Sequence, residues 1–451
     1  MLFQSLSFRS VVISYGRLAF ILGIVLLATP FVVRAQSFGS LDRERGQMML
    51  STIKDELKRN YYDPSFHGMN LDERFKLADE KIKQSTSIGQ MFGLIAQVLI
   101  ELDDSHTFFL PPGRAFRTDY GYLMQMVGDK CYVVAVKSGS NAEAVGLKPG
   151  DEIYSIDGFA PLRDNMWKIQ YSYNALRPRT AVRLVVIKPD GQQKELEVSA
   201  RIEKLKRVLN FSGDDDDFDI WDAQREGETE AKLQRHRYAE IGDDLFVWKM
   251  PAFDLGDGQV DGLVEKFKKR QGVVLDLRGN GGGYEQTLLR LLGHFFDHDV
   301  KLGDVKRRKE LKAITAKARD KNPFGGKVVV LIDSESGSAA ELFARVIQIE
   351  KRGLVVGDRS AGAVMRSIRH PHQLGTDTVI PYSVSITDAE IFMTDGKSLE
   401  HVGVVPDEMM LPKAADLAAK HDPILAYAIK LLGGTTTPQL AGAMFPREWR
   451  K

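Results

Sequence analysis

Val328-Val-Val-Leu-Ile-Asp-Ser-Glu-Ser336-Gly-Ser338-Ala-Ala-Glu341 is the stretch on which the reading of this chain turns. A β-branched apolar run stops at Asp333 and gives way to small residues, after which Leu342, Phe343, Val346 and Ile347 recur at helical spacing. The pattern is that of a strand, a tight turn and a helix start, with a serine at the turn. The first amides of a helix have no carbonyl partner and favour negative charge, so an oxyanion can be held there. Ser338 is therefore the candidate nucleophile of an acyl-transfer enzyme. The same residues, Ser338-Ala-Ala-Glu341, also fit a capping box, in which serine and glutamate merely close the helix end.

Working outward, 451 residues are too many for one hydrophobic core, and two or three domains are expected. A formal net charge of +1 without a strong basic patch argues against nucleic acid as a partner. Arg9 and Arg17 precede the apolar run Leu18–Leu27, and Val33-Arg-Ala35 offers a small-residue cleavage site. Residues 1–35 are thus expected to be a signal peptide, and the protein to be exported to a periplasmic or extracellular space. Membrane attachment is expected only if this segment stays uncleaved. One cysteine, Cys131, rules out an internal disulfide; Tyr132, Val133 and Val134 beside it suggest a buried, inert thiol.

Residues 36–112 read as a helical N-terminal domain, with Met49, Ile53 and Leu57 at 3–4 spacing. Residues 113–205 change to short strands and glycine turns. Residues 206–242, with Asp214-Asp-Asp-Asp217, read as a charged linker or insertion; the spacing of a calcium loop is missing. Residues 243–412 alternate strands and helices, the signature of an α/β core, and residues 413–451 read as a C-terminal helix and tail. Within the second region, Asn141-Ala-Glu-Ala-Val-Gly-Leu-Lys-Pro-Gly-Asp-Glu-Ile153 followed by Ile156-Asp-Gly resembles a PDZ domain. That resemblance implies that an extended peptide is taken as an added strand, with Gly121, Tyr122 and Leu123 as the peptide-binding loop.

A serine nucleophile needs a base, a group to orient that base, and donors for the oxyanion. Asp276-Leu-Arg-Gly-Asn-Gly-Gly-Gly283 has glycines that let amides approach a substrate, and it lacks the lysine of a phosphate loop. Asp103-Asp-Ser-His-Thr107 and Ser398-Leu-Glu400-His-Val-Gly-Val-Val-Pro-Asp407 add a histidine and a glutamate. Together, and in this order, these segments resemble the C-terminal processing (tail-specific) serine peptidases, in particular the tricorn core protease branch. The resemblance implies a multidomain α/β fold whose core is a β-β-α superhelix of the ClpP/crotonase type. It implies a serine peptidase that acts on proteins or peptides through their C-terminal tails and needs no cofactor or metal; homo-oligomerisation is left open. It also implies a relay of Ser338, His106, Ser105 and Glu400, with Ala339 and either Gly281 or Gly282 donating to the oxyanion.

The tail-specific branch uses a serine–lysine dyad, and here Ala363 stands where that lysine is expected. Arginines nearby cannot replace it, because a guanidinium keeps its proton. Lys397 is the alternative base. His401 is expected to point away from Glu400 on a strand, and His370-Pro-His372 to be a surface loop rather than a metal site. The rival readings are a ligand- or peptide-binding protein without catalysis on the same fold, and a Ser–Lys peptidase.

Overall fold

A computed structural model describes residues 38–113, 116–204, 233–319, 321–375 and 379–450. The expected signal peptide and the Asp214–Asp217 run lie outside these residues. Among the described residues no helix is long and apolar enough to cross a membrane.

Three helices, Ser40–Asn60, Leu71–Lys83 and Ile88–Ile100, open the described fold. The latter two start on side-chain caps: Asn70 accepts from the Glu73 amide, and Ser87 from the Gln90 amide. Their buried faces carry Ile53, Leu57, Ile82, Ile95 and Leu99. A five-stranded antiparallel sheet follows, in spatial order Tyr122–Val127, Lys130–Val136, Glu152–Ile156, Ala181–Ile187, Gln193–Ser199. A helix at Met166–Tyr171, continued by a π turn through Leu176, accompanies it. Tyr122–Val127 is an edge strand within this sheet, a position that leaves backbone groups open to another chain.

The α/β part is built on a six-stranded sheet. Leu245–Lys249, Gly272–Asp276, Lys327–Ile332, Leu354–Gly357 and Glu408–Met409 run parallel, and Arg237–Ile241 closes one edge antiparallel. Its central strands are apolar and buried over Val273–Leu275 and Val328–Ile332, as a sheet covered on both faces requires. One face packs the helices Asp257–Phe267, Glu285–Leu292 and Ala339–Ile349 around Phe267, Phe295 and Phe343. The other packs Pro423–Leu431 through Leu425 and Ile429. Burying a side chain such as Phe343 stabilises the layer by about 1.5–3 kcal/mol. A second sheet takes the long strand Ile380–Met393 as its spine, with Phe108–Leu110, Val300–Lys306 and Met365–Leu374 paired to it.

Several sequence expectations need correction here. The strand Arg237–Ile241 falls inside the stretch read as linker. The helix and tail expected at 413–451 are three helices, Ala414–Ala419, Pro423–Leu431 and Pro438–Met444, because Lys420 turns left-handed and Pro423 and Pro438 each start a new helix. His370-Pro-His372 is no surface loop: it lies in the strand Met365–Leu374, where Pro371 is tolerated because the strand is an edge. His370 Nδ1 and His372 Nε2 face Glu56 at 3.5 and 3.6 Å.

Candidate active site

The strands Gly272–Asp276 and Lys327–Ile332 are neighbours in register, so the loops leaving their C-terminal ends lie side by side. That edge of a parallel sheet is where ligands bind in open α/β folds. The first loop carries Asn280-Gly-Gly-Gly283 and the second carries Ser338. Gly337 N–H donates to the Asn280 carbonyl at 2.9 Å, and Asn280 Nδ2 donates to the Met250 carbonyl at 2.9 Å. Buried Asn280 thereby stitches the two loops together. The fit admits no side chain at Gly282: a Cβ there would lie 2.6 Å from Ser338 Cβ.

Ser338 has φ 52° and ψ −117°, in the left-handed region that a serine rarely adopts. The turn is sharp enough to set the serine at the mouth of the Ala339–Ile349 helix. Glu341 accepts the Ser338 backbone N–H at 3.0 Å, whereas the Ser338 hydroxyl makes no cap hydrogen bond. One half of the capping box is thus present, and the half that would occupy the hydroxyl is not.

Glu341 does far more than cap. Its fully buried carboxylate also accepts from Ser360 Oγ at 2.5 Å, Gly362 N–H at 2.8 Å and Ala363 N–H at 2.9 Å. These bonds lay residues 360–363 against the serine turn. Burial pushes the Glu341 carboxyl up to about 7, with the donors from Ser360, Ala363, Gly362 and Ser338 pulling the other way. The folded protein therefore keeps a proton that the unfolded chain releases near 4.5. The stabilising contribution is complete below pH 4.5 and is lost as pH rises through about 7. The stability difference between wild type and Glu341→Gln is accordingly expected to shift against wild type by about 3 kcal/mol between those limits. Urea unfolding of both proteins at several pH values measures it, and a pH-independent difference would refute the assignment.

The peptide group between Ala363 and Val364 joins two parts of the site. Its carbonyl accepts the Ser338 N–H at 2.9 Å, and its N–H donates to Glu400 Oε2 at 2.7 Å. Ser338 N and the Glu400 carboxylate are thus separated by no more than about 8 Å. Glu400 further accepts Ser105 N–H at 2.7 Å and the Ser105 hydroxyl at 2.9 Å, and Ser105 Oγ lies 2.7 Å from His106 Nδ1. The Ser105 proton goes to the carboxylate, so its oxygen accepts from Nδ1–H. This assignment leaves Nε2 of neutral His106 as the lone-pair nitrogen. Burial lowers the His106 pKa below the ordinary 6.5, and Asp104 opposes the shift. Burial raises that of Glu400 against its three donors.

A long-range contact brings this loop to the site. Asp104 Oδ1 accepts the amides of His106 and Thr107 at 3.0 and 2.7 Å and the Thr387 hydroxyl at 2.6 Å. The strand Phe108–Leu110 then pairs with Ser385, Val384 and Ser383. Among the described residues no hydrogen bond joins Ser338 Oγ to His106.

Other sequence candidates fare differently. Gly282 N–H donates to Asn280 Oδ1 at 2.8 Å, whereas Gly281 N–H makes no hydrogen bond among the described residues. Lys397 is exposed on a hairpin turn, without the desolvation a lysine base needs. His401 sits in a turn, not a strand, and does not point away from Glu400: its Nε2 lies 3.8 Å from Glu400 Oε1 and 2.9 Å from the Asp103 carbonyl. Gly121 N–H is taken by Asp119 at 2.9 Å, while Tyr122 and Leu123 line a cavity. Asn280 and Ser360 carry no role in the sequence reading, and Glu341 is read there as a cap alone. An Asn two residues before a glycine is a local signal for the first; the other two need the contact across residues 341–363.

A part-buried serine in a strained turn at a helix mouth, beside a part-buried Glu–Ser–His line, is the kind of arrangement a serine-hydrolase site requires. More narrowly, residues 246–410 match the model of Peptidase family S41, and the chain is a serine-type peptidase similar to C-terminal processing and tail-specific proteases. It is 23% identical over 406 residues to the chloroplastic C-terminal processing peptidase of Tetradesmus obliquus, spanning 85% of this chain and 80% of that protein. It is 24% identical to a putative tricorn-like protease C-terminal subunit of Sulfurisphaera tokodaii, covering 86% of this chain and 43% of the relative. Among solved structures, mature CPAF superposes with a TM-score of 0.62 at 14% identity, over 84% of this chain and 95% of that one. That likeness shows the fold.

Proposed function

We propose that this protein is an exported endopeptidase that cuts proteins or peptides whose C-terminal tails dock on the five-stranded domain, acting as a PDZ domain. In this reading Ser338 Oγ attacks the scissile carbonyl, and His106 Nε2 takes its proton and returns it to the leaving amine. Ser105 and Glu400 hold the imidazole in the Nδ1–H form. The amides of Ala339 and Gly281 receive the oxyanion, and water then releases the acyl group from Ser338. The observation that carries this reading is the Glu400–Ser105–His106 hydrogen-bonded line, one peptide group away from a serine whose hydroxyl is uncommitted. Export rests on the sequence of residues 1–35.

Tail recognition is tested with one peptide series carrying free or amidated C-termini. Amidation is expected to lower kcat/KM by about tenfold or more, the equivalent of about 1.4 kcal/mol. Equal rates would remove tail docking from the proposal and leave the relay to be judged on its own.

A further inference from the structure

A cavity of roughly 350 Å³ lies between the edge strand Tyr122–Val127 and the helical segment Met166–Leu176. Tyr122, Leu123 and Met124 form one wall, and Gln170 and Tyr173 another. The strand Phe116–Asp119 adds Thr118 and Asp119, and Arg447, Trp449 and Arg450 line the same space, together with Glu335 from the loop that precedes Ser338. An open strand edge facing a helix is a place for an extended peptide to add as a further strand. We propose that the Arg447–Arg450 segment is the resident occupant of this groove, covering it until a substrate tail of similar chemistry, an aromatic residue with an arginine two positions before it and one directly after it, displaces it. The proposal rests on the reading of the five-stranded domain as a peptide-binding domain.

The charge pattern fits such an occupant. Asp119 and Glu335 line the same space as Arg447 and Arg450, and the Arg447 cation works against the upward shift of the Glu335 carboxyl. The segment is held by contacts that can be exchanged. Glu448 pairs with Arg235 at 2.5 Å with both side chains part-exposed, and Arg237 donates to the Pro446 carbonyl at 2.8 Å. Exposed ion pairs of this kind hold weakly and are screened by salt. The groove is also joined to the catalytic loops. Gln125 Nε2 donates to Asp333 Oδ2 at 2.6 Å, and Asp333 Oδ1 accepts Gly279 N–H at 2.9 Å.

The test uses a fluorescein-labelled synthetic peptide of residues 445–451 and fluorescence anisotropy in a Ser338→Ala background, so that binding is read without turnover. Three proteins are compared: the full chain, the full chain with Arg447→Ala and Trp449→Ala, and a chain lacking residues 447–451. The peptide is expected to bind both opened forms at least tenfold more tightly than the full chain, and Leu123→Glu in the double variant to abolish that gain. Equal affinity for all three, no binding to the opened forms, or binding that survives Leu123→Glu would each overturn the proposal. Failure of the peptidase reading would appear separately, as absence of hydrolysis by the chain with Ser338 intact. Circular dichroism of each variant shows that the fold is retained, and the full-length double variant keeps the test valid if the truncated chain does not fold.

Discussion

Ser338→Ala is expected to lower kcat/KM for peptide hydrolysis by about 10⁴- to 10⁶-fold, the scale on which nucleophile removal acts in serine peptidases. Thermal stability is expected to change little. The two roles open to this serine predict opposite results. Were it only a helix cap, its loss would cost about 0.5–2 kcal/mol of stability and leave turnover untouched. The hydroxyl makes no cap hydrogen bond, and the Glu341 carboxylate closes the helix end by binding the backbone N–H that alanine retains. The positive φ is a strain that alanine shares, so the turn itself is expected to persist. Steady-state kinetics beside a thermal melt of the same preparation separate the outcomes. Full peptidase activity with a lowered melting temperature would return Ser338 to the status of a cap.

How much of this was legible beforehand depends on whether the signal was local. The strand, turn and helix around Ser338 are local: β-branched residues end at Asp333, small residues follow, and Leu342, Phe343, Val346 and Ile347 mark one helical face. The glycine strands of the 113–205 region are local for the same reason. The hairpin Met365–Met393 escaped because its first arm mixes Arg366, Arg369, His370 and Pro371, which match neither an apolar run nor a clean alternation. Pairing with Ile380–Met393, not its own propensity, makes that arm a strand. Non-local chemistry was hidden more thoroughly. Glu341 reads as a cap because its local partner is Ser338, yet Ser360, Gly362 and Ala363 become neighbours only when the Leu354–Gly357 strand packs beside Lys327–Ile332. His106 lies 232 positions before Ser338 in the chain, and family resemblance, not spacing, is what singled it out.

That histidine carries the second large effect. His106→Ala is expected to lower kcat/KM by a factor of the same order, about 10⁴ to 10⁶, and to add little when combined with Ser338→Ala, because residues that act as one unit are lost together. The pH profile supplies an independent reading. In the proposed relay the base is the neutral imidazole, so kcat/KM is expected to rise as His106 loses its proton. Burial depresses that pKa, Asp104 opposes the shift, and the net direction is below 6.5, so the acid limb should lie below the ordinary imidazole value and the rate should be flat above it. Ser105→Ala removes the acceptor that holds Nδ1–H, freeing the ring to put its proton on Nε2, where it cannot serve as base. A loss short of that in His106→Ala is therefore expected, because one tautomer still works part of the time. Glu400→Gln should resemble Ser105→Ala, since the carboxylate is what draws the Ser105 proton away from the imidazole. If His106→Ala kept activity within about tenfold of wild type, a difference of about 1.4 kcal/mol in the barrier, the relay would be wrong and the proton of Ser338 would have to leave by another route. An alkaline limb in that variant, abolished by Lys397→Met, would identify the lysine despite its exposed position on the hairpin turn.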